Sequence, residues 1–152
     1  MKKESLEKLN FEKQARLFKA LMHPARLAIL DVLRYGEHCV CHLEAALGYR
    51  QAYISQQLML LRDAGIIEDR RNGWNIFYRV INPGIYTVID AAHQITGTYC
   101  GSEPSRQYEK PLSNCPCPKC NADKGISLNL NKEHACPPVE GSLKTISIKM
   151  EN

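Results

Sequence analysis

The stretch His38–Val80, HCVCHLEAALGYRQAYISQQLMLLRDAGIIEDRRNGWNIFYRV, decides the fold. Apolar residues at helical spacing predict a short helix over about 40–47 and a second helix over about 50–64. The segment that follows predicts two strands joined by a turn at Asn72-Gly73, which is a strong hairpin signal. Two short helices that meet at a glycine turn and precede a basic hairpin describe a winged helix-turn-helix.

The flanking sequence adds three more helices. Helical spacing of apolar residues predicts a first helix over 4–22, and Pro24 suits the first turn of a second helix that ends by Gly36. A fifth helix follows the hairpin, with an apolar stripe that runs from Ile85 to Ile95. We therefore expect a mainly α fold with a β-hairpin wing, in the order ααααββα.

The helix over 50–64 is the candidate DNA-reading element. Its polar side carries Ser and Gln side chains that can hydrogen-bond base edges, and the arginines around it can contact phosphates. Over residues 50–79 five arginines face three acidic residues, a modest surplus that predicts binding as a dimer. The candidate DNA-binding residues are Arg50, Gln51, Ala52, Tyr53, Ser55, Gln56, Gln57, Arg62, Arg70, Arg71 and Asn72.

Several motifs of this region resemble the ArsR/SmtB family of metal-sensing winged-helix repressors. HPARLAILDVL is similar to the family's second helix, CVCHL to its metal box, RQAYISQQL to its recognition helix and RRNGWNIFYRV to its wing. The resemblance covers roughly residues 10–98. It implies that Gln51, Ala52, Ser55 and Gln56 read bases, that two copies pair through their first and last helices, and that the protein is no enzyme.

The composition of the chain fits a regulator of this kind. The 152 residues carry a net charge of +4, which is compatible with nucleic acid but not diagnostic of it. The chain has no apolar run long enough to span a membrane, and its first 14 residues lack the apolar stretch of a signal peptide. We therefore expect no membrane partner and a cytoplasmic location, where thiols stay reduced.

The composition changes at about residue 99, where long helical patterns stop and Pro, Asn, Ser and Cys become frequent. The segments 126–131 and 144–150 alternate apolar and polar residues as strands do. We expect residues 1–98 to form the DNA-binding and dimerisation domain. Residues 99–152 are expected to be a Cys-rich extension with a small zinc-ribbon-like β-hairpin.

Cys39 and Cys41 lie at the predicted start of the third helix. Residues i and i+2 of a helix diverge by about 200°, so the two thiols can share a ligand only if Cys39 lies at or before the helix start. Soft thiolates favour Zn(II), Cd(II), Pb(II) or As(III) over hard cations. Such an ion needs three or four ligands, so this pair is only part of a site.

The other ligands of the family's sites are missing from their usual positions. Glu44 stands where arsenic-sensing relatives carry a third cysteine, and the N-terminal arm that supplies cadmium and lead ligands contains no cysteine here. On the last helix, Asn82 and Gly84 replace the first pair of the family's zinc site. We interpret the remaining Asp90 and His93 as an ordinary polar pair.

The missing thiols must come from Cys100 or from the tail, and two arrangements are open. In one, the tail is an independent structural zinc module and Cys100 completes the site begun by Cys39 and Cys41. In the other, which we expect, the tail folds back and at least one of Cys115 or Cys117 completes it. The candidate ligands of an independent module are Cys117, Cys120, Cys136 and either Cys115 or His134. Over both arrangements the candidate metal ligands are Cys39, Cys41, Cys100, Cys115, Cys117, Cys120 and Cys136.

These features predict a repressor that binds operator DNA as a homodimer and leaves it when As(III), Cd(II), Pb(II) or Zn(II) binds cysteine thiolates. One alternative is a thiol-redox or persulfide sensor of the same fold that uses Cys39 and Cys100. An alternative of another class is a metal-storage or interaction protein. A thiol reductase is not expected, because the strand and helix that normally flank a Cys-x-x-Cys redox motif are missing around residues 117–120.

Overall fold

The computed structural model describes residues 2–97 and 115–121, with the backbone alone at residues 2–9 and 119. The elements in chain order are α1 (Lys2–Leu21), α2 (Pro24–Val32), a 3-10 turn (Leu33–Tyr35), β1 (His38–Cys39), α3 (Val40–Leu47), α4 (Gln51–Asp63), β2 (Ile67–Asn72), β3 (Asn75–Val80), α5 (Ile85–Thr96) and α6 (Pro118–Asn121). The predicted winged helix-turn-helix is confirmed, and β1 and α6 are additional short elements. Over the described ranges, no helix has both the length and the apolar character needed to cross a membrane.

The ends of the helices follow from their cap residues. The ring nitrogen Nδ1 of His23 accepts a hydrogen bond from the backbone N–H of Ala25 at 3.2 Å, and Pro24 occupies the first helical position of α2. Gly48 ends α3 in the left-handed conformation, with φ +70°, which costs a residue without a Cβ little. This sharp end lets α4 begin three residues later.

The main core forms where α2, α3 and α4 meet. Leu43 of α3 and Ile54, Leu58 and Leu61 of α4 are almost fully buried, together with Ile29 of α2. Leu43, Ile54, Leu58 and Leu61 belong to the apolar stripes that the sequence predicts for α3 and α4, whereas Ile29 lies outside the stripe predicted for α2, of which Leu27 is 39% exposed. Because α3 and α4 share this core, the position of α3 constrains the orientation of α4.

The three strands form one antiparallel sheet in the order β1-β3-β2. Cys39 of β1 pairs with Phe77 of β3, and Phe77 pairs on its other side with Arg70 of β2. Directly opposed residues in an antiparallel sheet have their side chains on the same face. Cys39, Phe77 and Arg70 therefore form one row that crosses from α3 to the wing, which is the β2–β3 hairpin.

The last long helix, α5, is fixed to α2 and to the 3-10 turn after α2 by polar and aromatic contacts. The guanidinium of Arg34 donates two hydrogen bonds to the carboxylate of Asp90, at 2.7 and 3.1 Å, and lies 4.5 Å from the ring centre of Tyr86. The Tyr86 hydroxyl donates to the Leu30 carbonyl at 3.1 Å. Asp90 thus has a structural partner, in agreement with its interpretation as an ordinary polar residue.

The tail is described only at its cysteine knuckle, residues 115–121. The predicted strands over 126–131 and 144–150 lie outside the described residues, as do Cys100, His134 and Cys136. The proposed division into 1–98 and 99–152 and the zinc-ribbon-like hairpin therefore stay predictions.

We expect Leu58→Ala to lower the free energy of unfolding by about 2–5 kcal/mol, because the change removes a buried side chain from the core that joins α3 and α4. Met59→Ala is the matched control, since Met59 is 47% exposed on the same helix, and should change stability by less than about 0.5 kcal/mol. Urea unfolding followed by far-UV circular dichroism measures both variants. Equal losses would contradict the assignment of α4's buried face.

Candidate nucleic-acid interface and metal centre

The side of α4 away from the core is exposed and polar. Gln51, Ala52, Tyr53, Ser55 and Gln56 are all exposed along the first turns of this helix. The side chains of Ser55 and Gln56 are of the kind that hydrogen-bond base edges in a major groove. The geometry is that of a recognition helix whose N-terminal half is free to enter DNA.

Gln57 does not belong to this exposed face, and the expectation that it flanks the DNA-reading side is wrong. It is only 5% exposed, and its side-chain oxygen accepts a hydrogen bond from the Arg26 guanidinium at 3.4 Å. At about 100° per residue, Gln57 lies only about 60° from Ile54 around the helix, so it sits at the edge of the buried stripe. Arg26 then covers it from α2.

The four candidate arginines for phosphate contact and Arg79 of β3 differ in their partners. Arg62, Arg70 and Arg79 pair with Asp69, Glu37 and Glu68 respectively. Exposed pairs of this kind contribute about 0–1 kcal/mol, so a phosphate can compete for the arginine. Arg50 and Arg71 are exposed and form no ion pair with any side chain that the structure describes, residues 10–97, 115–118, 120 and 121.

The turn of the wing carries a residue that sequence reasoning missed. Gly73 and Trp74 form the two-residue loop, one position beyond the predicted Asn72-Gly73 turn, because Asn72 ends β2 and pairs with Asn75. Trp74 is 99% exposed. A tryptophan side chain usually buries a large apolar area, so an indole that is fully exposed at the end of the wing is available for contact with a partner. The sequence offered a signal, because a single tryptophan stands directly after a hairpin turn.

Four thiols meet at the N-terminus of α3. The sulfur atoms of Cys39, Cys41, Cys115 and Cys117 all lie within 4.8 Å of one another, and those of Cys39 and Cys41 are 2.7 Å apart. Cys39 has extended backbone angles and is the N-cap of α3, so its side chain turns toward that of Cys41 instead of diverging from it. The cluster joins two parts of the chain that are more than 70 residues apart in sequence.

The four thiols suit a soft metal ion. Zinc bound by four thiolates has Zn–S distances of about 2.3 Å, so the sulfurs of a regular tetrahedron are about 3.8 Å apart. The four sulfurs already lie within 4.8 Å of one another, and Cys39 and Cys41 would have to move apart by about 1 Å to reach that value. The donors are all sulfur, which favours Zn(II), Cd(II), Pb(II) or As(III) over hard cations.

Burial controls the ionisation of these thiols. It raises the pKa of Cys41 to about 11 and the pKa of Cys115 to about 12, and it raises that of Cys39 further still. At Cys117 burial opposes ionisation, but the Cys120 backbone N–H and the neighbouring thiols donate to its sulfur and lower its pKa below the ordinary value. A bound cation would therefore displace protons from thiols that otherwise hold them at neutral pH.

A second group of donors adjoins the four thiols. The side-chain donors of His42, Cys115 and Cys120 lie within 4.8 Å of one another, and Nδ1 of His42 is 3.1 Å from the Cys120 sulfur. The His42 ring stacks on that of His38, with ring centres 4.0 Å apart. His42 was not among the predicted ligands, although the CVCHL motif places it one residue after Cys41.

The cysteine knuckle packs against the wing as well as against α3. Phe77 of β3 is buried in one apolar cluster with Cys39 and with the knuckle's Cys115, Cys117 and Cys120. Pro118 of the knuckle also lines an open cleft of about 470 Å³ with Arg70 and other wing residues. The structure therefore brings together five of the seven candidate cysteines, and Cys100 and Cys136 lie outside the described residues.

The fold and these sites define a class of protein. A winged helix-turn-helix with an exposed polar recognition helix and an arginine-bearing wing is the architecture of a DNA-binding regulator. Residues 23–69 match the family described as "Bacterial regulatory protein, arsR family". Together with the relatives described next, this match shows that the chain belongs to the ArsR family and is a transcriptional repressor of that family.

Three similar proteins illustrate the range of the family. The chain is 44% identical over 87 residues to the biofilm growth-associated repressor of Agrobacterium fabrum, covering 57% of this chain and 72% of the relative. It is 45% identical over 67 residues to the arsenic resistance transcriptional regulator ArsR1 of Pseudomonas putida, covering 44% and 51%. The crystal structure of the transcriptional repressor BigR from Xylella fastidiosa superimposes with a TM-score of 0.53 at 41% identity, covering 62% of this chain and 96% of that one.

We expect the fluorescence of Trp74, the single tryptophan of the chain, to change when DNA binds. Contact with DNA would quench the emission of an indole that is fully exposed in the free protein, because bases and sugars replace the surrounding water. The protein is titrated with a DNA duplex to which it binds, and the Trp74 emission is recorded at each step. The anisotropy of a labelled copy of the same duplex shows the DNA concentration at which the protein is saturated. Unchanged emission at saturating DNA would contradict contact at the tip of the wing.

Proposed function

We propose that this protein is a metal-responsive repressor whose operator affinity falls when a thiophilic ion binds Cys39, Cys41, Cys115 and Cys117. The observation that carries the proposal is the meeting of these four thiols at the N-terminus of α3. Cys39 and Cys41 alone make half a site, and the knuckle supplies two further sulfur donors. The arrangement in which the tail folds back is thereby favoured over an independent module completed by Cys100.

The DNA side of the proposal rests on the exposed face of α4 and on the wing. Gln51, Ala52, Ser55 and Gln56 are assigned to the major groove, where Gln pairs well with adenine. Tyr53 lies beside them, its ring 5.4 Å from that of Tyr49. Phosphate contacts are assigned to five residues that surround this face: Arg50, Arg62, Arg70, Arg71 and Asn72.

A homodimer completes the proposed binding unit. The likeness to the ArsR/SmtB family implies pairing through the first and last helices. Phe11, Phe18 and Met22 in and just after α1 and Ile95 on α5 are large apolar side chains that are at least half exposed in the single chain. Burying them between two copies would remove apolar surface from water and would place two recognition helices on one operator.

The row of residues across the sheet suggests how the cluster reaches the DNA-binding surface. Cys39 is paired with Phe77, and the guanidinium of Arg70 lies 5.8 Å from the Phe77 ring centre and pairs with Glu37. When the knuckle is held on Cys39 and Cys41, it also covers Phe77. This contact fixes the inner edge of the wing and favours the Arg70–Glu37 pair over a pair between Arg70 and a phosphate.

The two ligands are linked through free energy. Ion binding stabilises the state in which the knuckle lies on Cys39 and Cys41, and this closed state binds DNA more weakly than the open state. A coupling of about 1–3 kcal/mol would relieve repression roughly 5–150-fold, and DNA must weaken ion binding by the same factor. A thiol-redox sensor that uses Cys39 and Cys100 remains the alternative, and a storage protein would bind ions with no effect on DNA.

We expect Cd(II) to weaken DNA binding by wild-type protein roughly 5–150-fold under strictly reducing conditions, as measured by the anisotropy of a labelled operator duplex. Cys117→Ser should remove most of this response, because it deletes one sulfur of the four-thiol cluster. Zn(II), Pb(II) and As(III) are tested in parallel to rank the inducers.

The control for this experiment is Cys100→Ser, which removes a thiol from the same chain but leaves all four cluster thiols in place. It should respond like wild type. If Cys100→Ser abolishes the response and Cys117→Ser does not, the inducer does not bind at the four-thiol cluster and the proposed site is wrong. If only a persulfide or an oxidant weakens DNA binding, the redox alternative replaces the metal proposal.

We expect Glu37→Gln to reduce the effect of the ion on DNA affinity, because it removes the carboxylate that withdraws Arg70 from phosphate in the closed state. Glu68→Gln is the matched control, since Glu68 pairs with Arg79 within the β2–β3 hairpin, and neither residue lines the cleft that Pro118 shares with Glu37 and Arg70. The ratio of the operator Kd values with and without Cd(II) is the quantity to compare. Equal ratios in the two variants would contradict a role for the Arg70–Glu37 pair.

A further inference from the structure

We propose that the thiol cluster holds two ions rather than one, the second bound by His42, Cys115 and Cys120, with the Cys115 sulfur shared between both. This inference rests on the proposed function, because the first ion occupies Cys39, Cys41, Cys115 and Cys117. It adds a binding site with an imidazole donor to an all-sulfur site. The second ion belongs to the same chemical class, a thiophilic divalent cation such as Zn(II) or Cd(II).

The geometry points to this second site. The three donor atoms of His42, Cys115 and Cys120 lie within 4.8 Å of one another, as do the four sulfurs of the first site, and Cys115 is a member of both groups. A thiolate sulfur has enough lone pairs to bridge two cations. The donor set of two thiolates and one imidazole is one that Zn(II) accepts, with a fourth position left for water or another small ligand.

Neighbouring residues hold the second set of donors in place. His42 is 3% exposed on the first turn of α3, and its ring stacks on His38, with an angle of 17° between the ring planes. Its Nδ1 faces the Cys120 sulfur at 3.1 Å, a distance that an ion between the two atoms would widen by a few tenths of an ångström. The backbone N–H of Cys120 donates to the Cys117 sulfur at 3.4 Å, which ties the two halves of the knuckle together.

Charge balance also favours a second cation. One divalent ion with four thiolates leaves a net charge of −2 in a cluster whose cysteines are largely buried. A second divalent ion that displaces one proton from Cys120 reduces that net charge to −1, with His42 as a neutral ligand. The proton leaves to solvent, and no oxidation or reduction takes place.

A stoichiometry measurement tests the inference. The full chain carrying Cys100→Ser and Cys136→Ser is titrated with Cd(II) under reducing conditions, so that only the described cysteines remain as thiol ligands. Two Cd(II) per chain are expected, with two 113Cd resonances, one for four-sulfur and one for mixed sulfur and nitrogen coordination. His42→Ala and Cys120→Ser in this background should each bind one ion and keep the four-sulfur resonance.

His93→Ala is the matched control, because it removes an exposed histidine on α5 and should leave both resonances unchanged. Circular dichroism of the metal-free variants verifies that each retains its helices. One ion in the parent protein, unaffected by His42→Ala, would overturn the second site and leave the proposed function standing. No ion bound at all would overturn both.

Discussion

The pairing of β1 with β3 is the constraint on which the rest of the account depends. The strand β1 consists of His38 and Cys39, and Cys39 lies opposite Phe77 in the sheet. The other neighbour of Phe77 across the sheet is Arg70. Because Cys39 is also the N-cap of α3, one residue belongs to the thiol cluster, to the sheet and to the start of a helix. An ion on the Cys39 sulfur would therefore be joined to the wing by one row of paired residues, as the proposed function requires.

The cysteine knuckle also affects the stability of the chain. Its sulfurs pack against Phe77 and Ala45 in an apolar cluster that is separate from the main core between α2, α3 and α4. A contact of this size has little apolar area with which to hold a tail in place. Ligand bonds to Cys115 and Cys117 would supply the missing free energy, so closure of the tail and occupancy of the site would be coupled.

Much of the fold could be predicted because periodicity and turn chemistry agree. The apolar stripe of α4 and the glycine that ends α3 each specify one element from local sequence, and each is found. The hairpin is found as well, but its loop residues are Gly73 and Trp74, one position beyond the predicted Asn72-Gly73 turn. Gln57 was placed wrongly because a helical wheel has no sharp edge, and the residue that covers Gln57, Arg26, lies 31 positions away in sequence. β1 was missed because a two-residue strand has no period of its own.

The candidate site was predictable in its chemistry but not in its geometry. Two thiols at Cys39 and Cys41 implied missing donors, and the tail was the obvious source of them. Which tail thiols come close depends on how a proline-rich knuckle packs on Phe77, and no local pattern encodes that contact. His42 and Trp74 were missed for the same reason, because their roles depend on where the fold places them. His42 lies beside Cys120, and Trp74 lies exposed at the tip of the wing.

The most direct test of the proposed linkage is the affinity of the protein for Cd(II), measured once on the free protein and once on the operator-bound protein. If the thiol cluster and the DNA-binding surface are linked through Cys39 and Phe77, DNA must weaken Cd(II) binding by the same factor by which Cd(II) weakens DNA binding. We expect the operator-bound protein to bind Cd(II) roughly 5–150-fold more weakly than the free protein. Equal affinities in the two states would contradict it, because the cluster would then bind ions without influence on DNA.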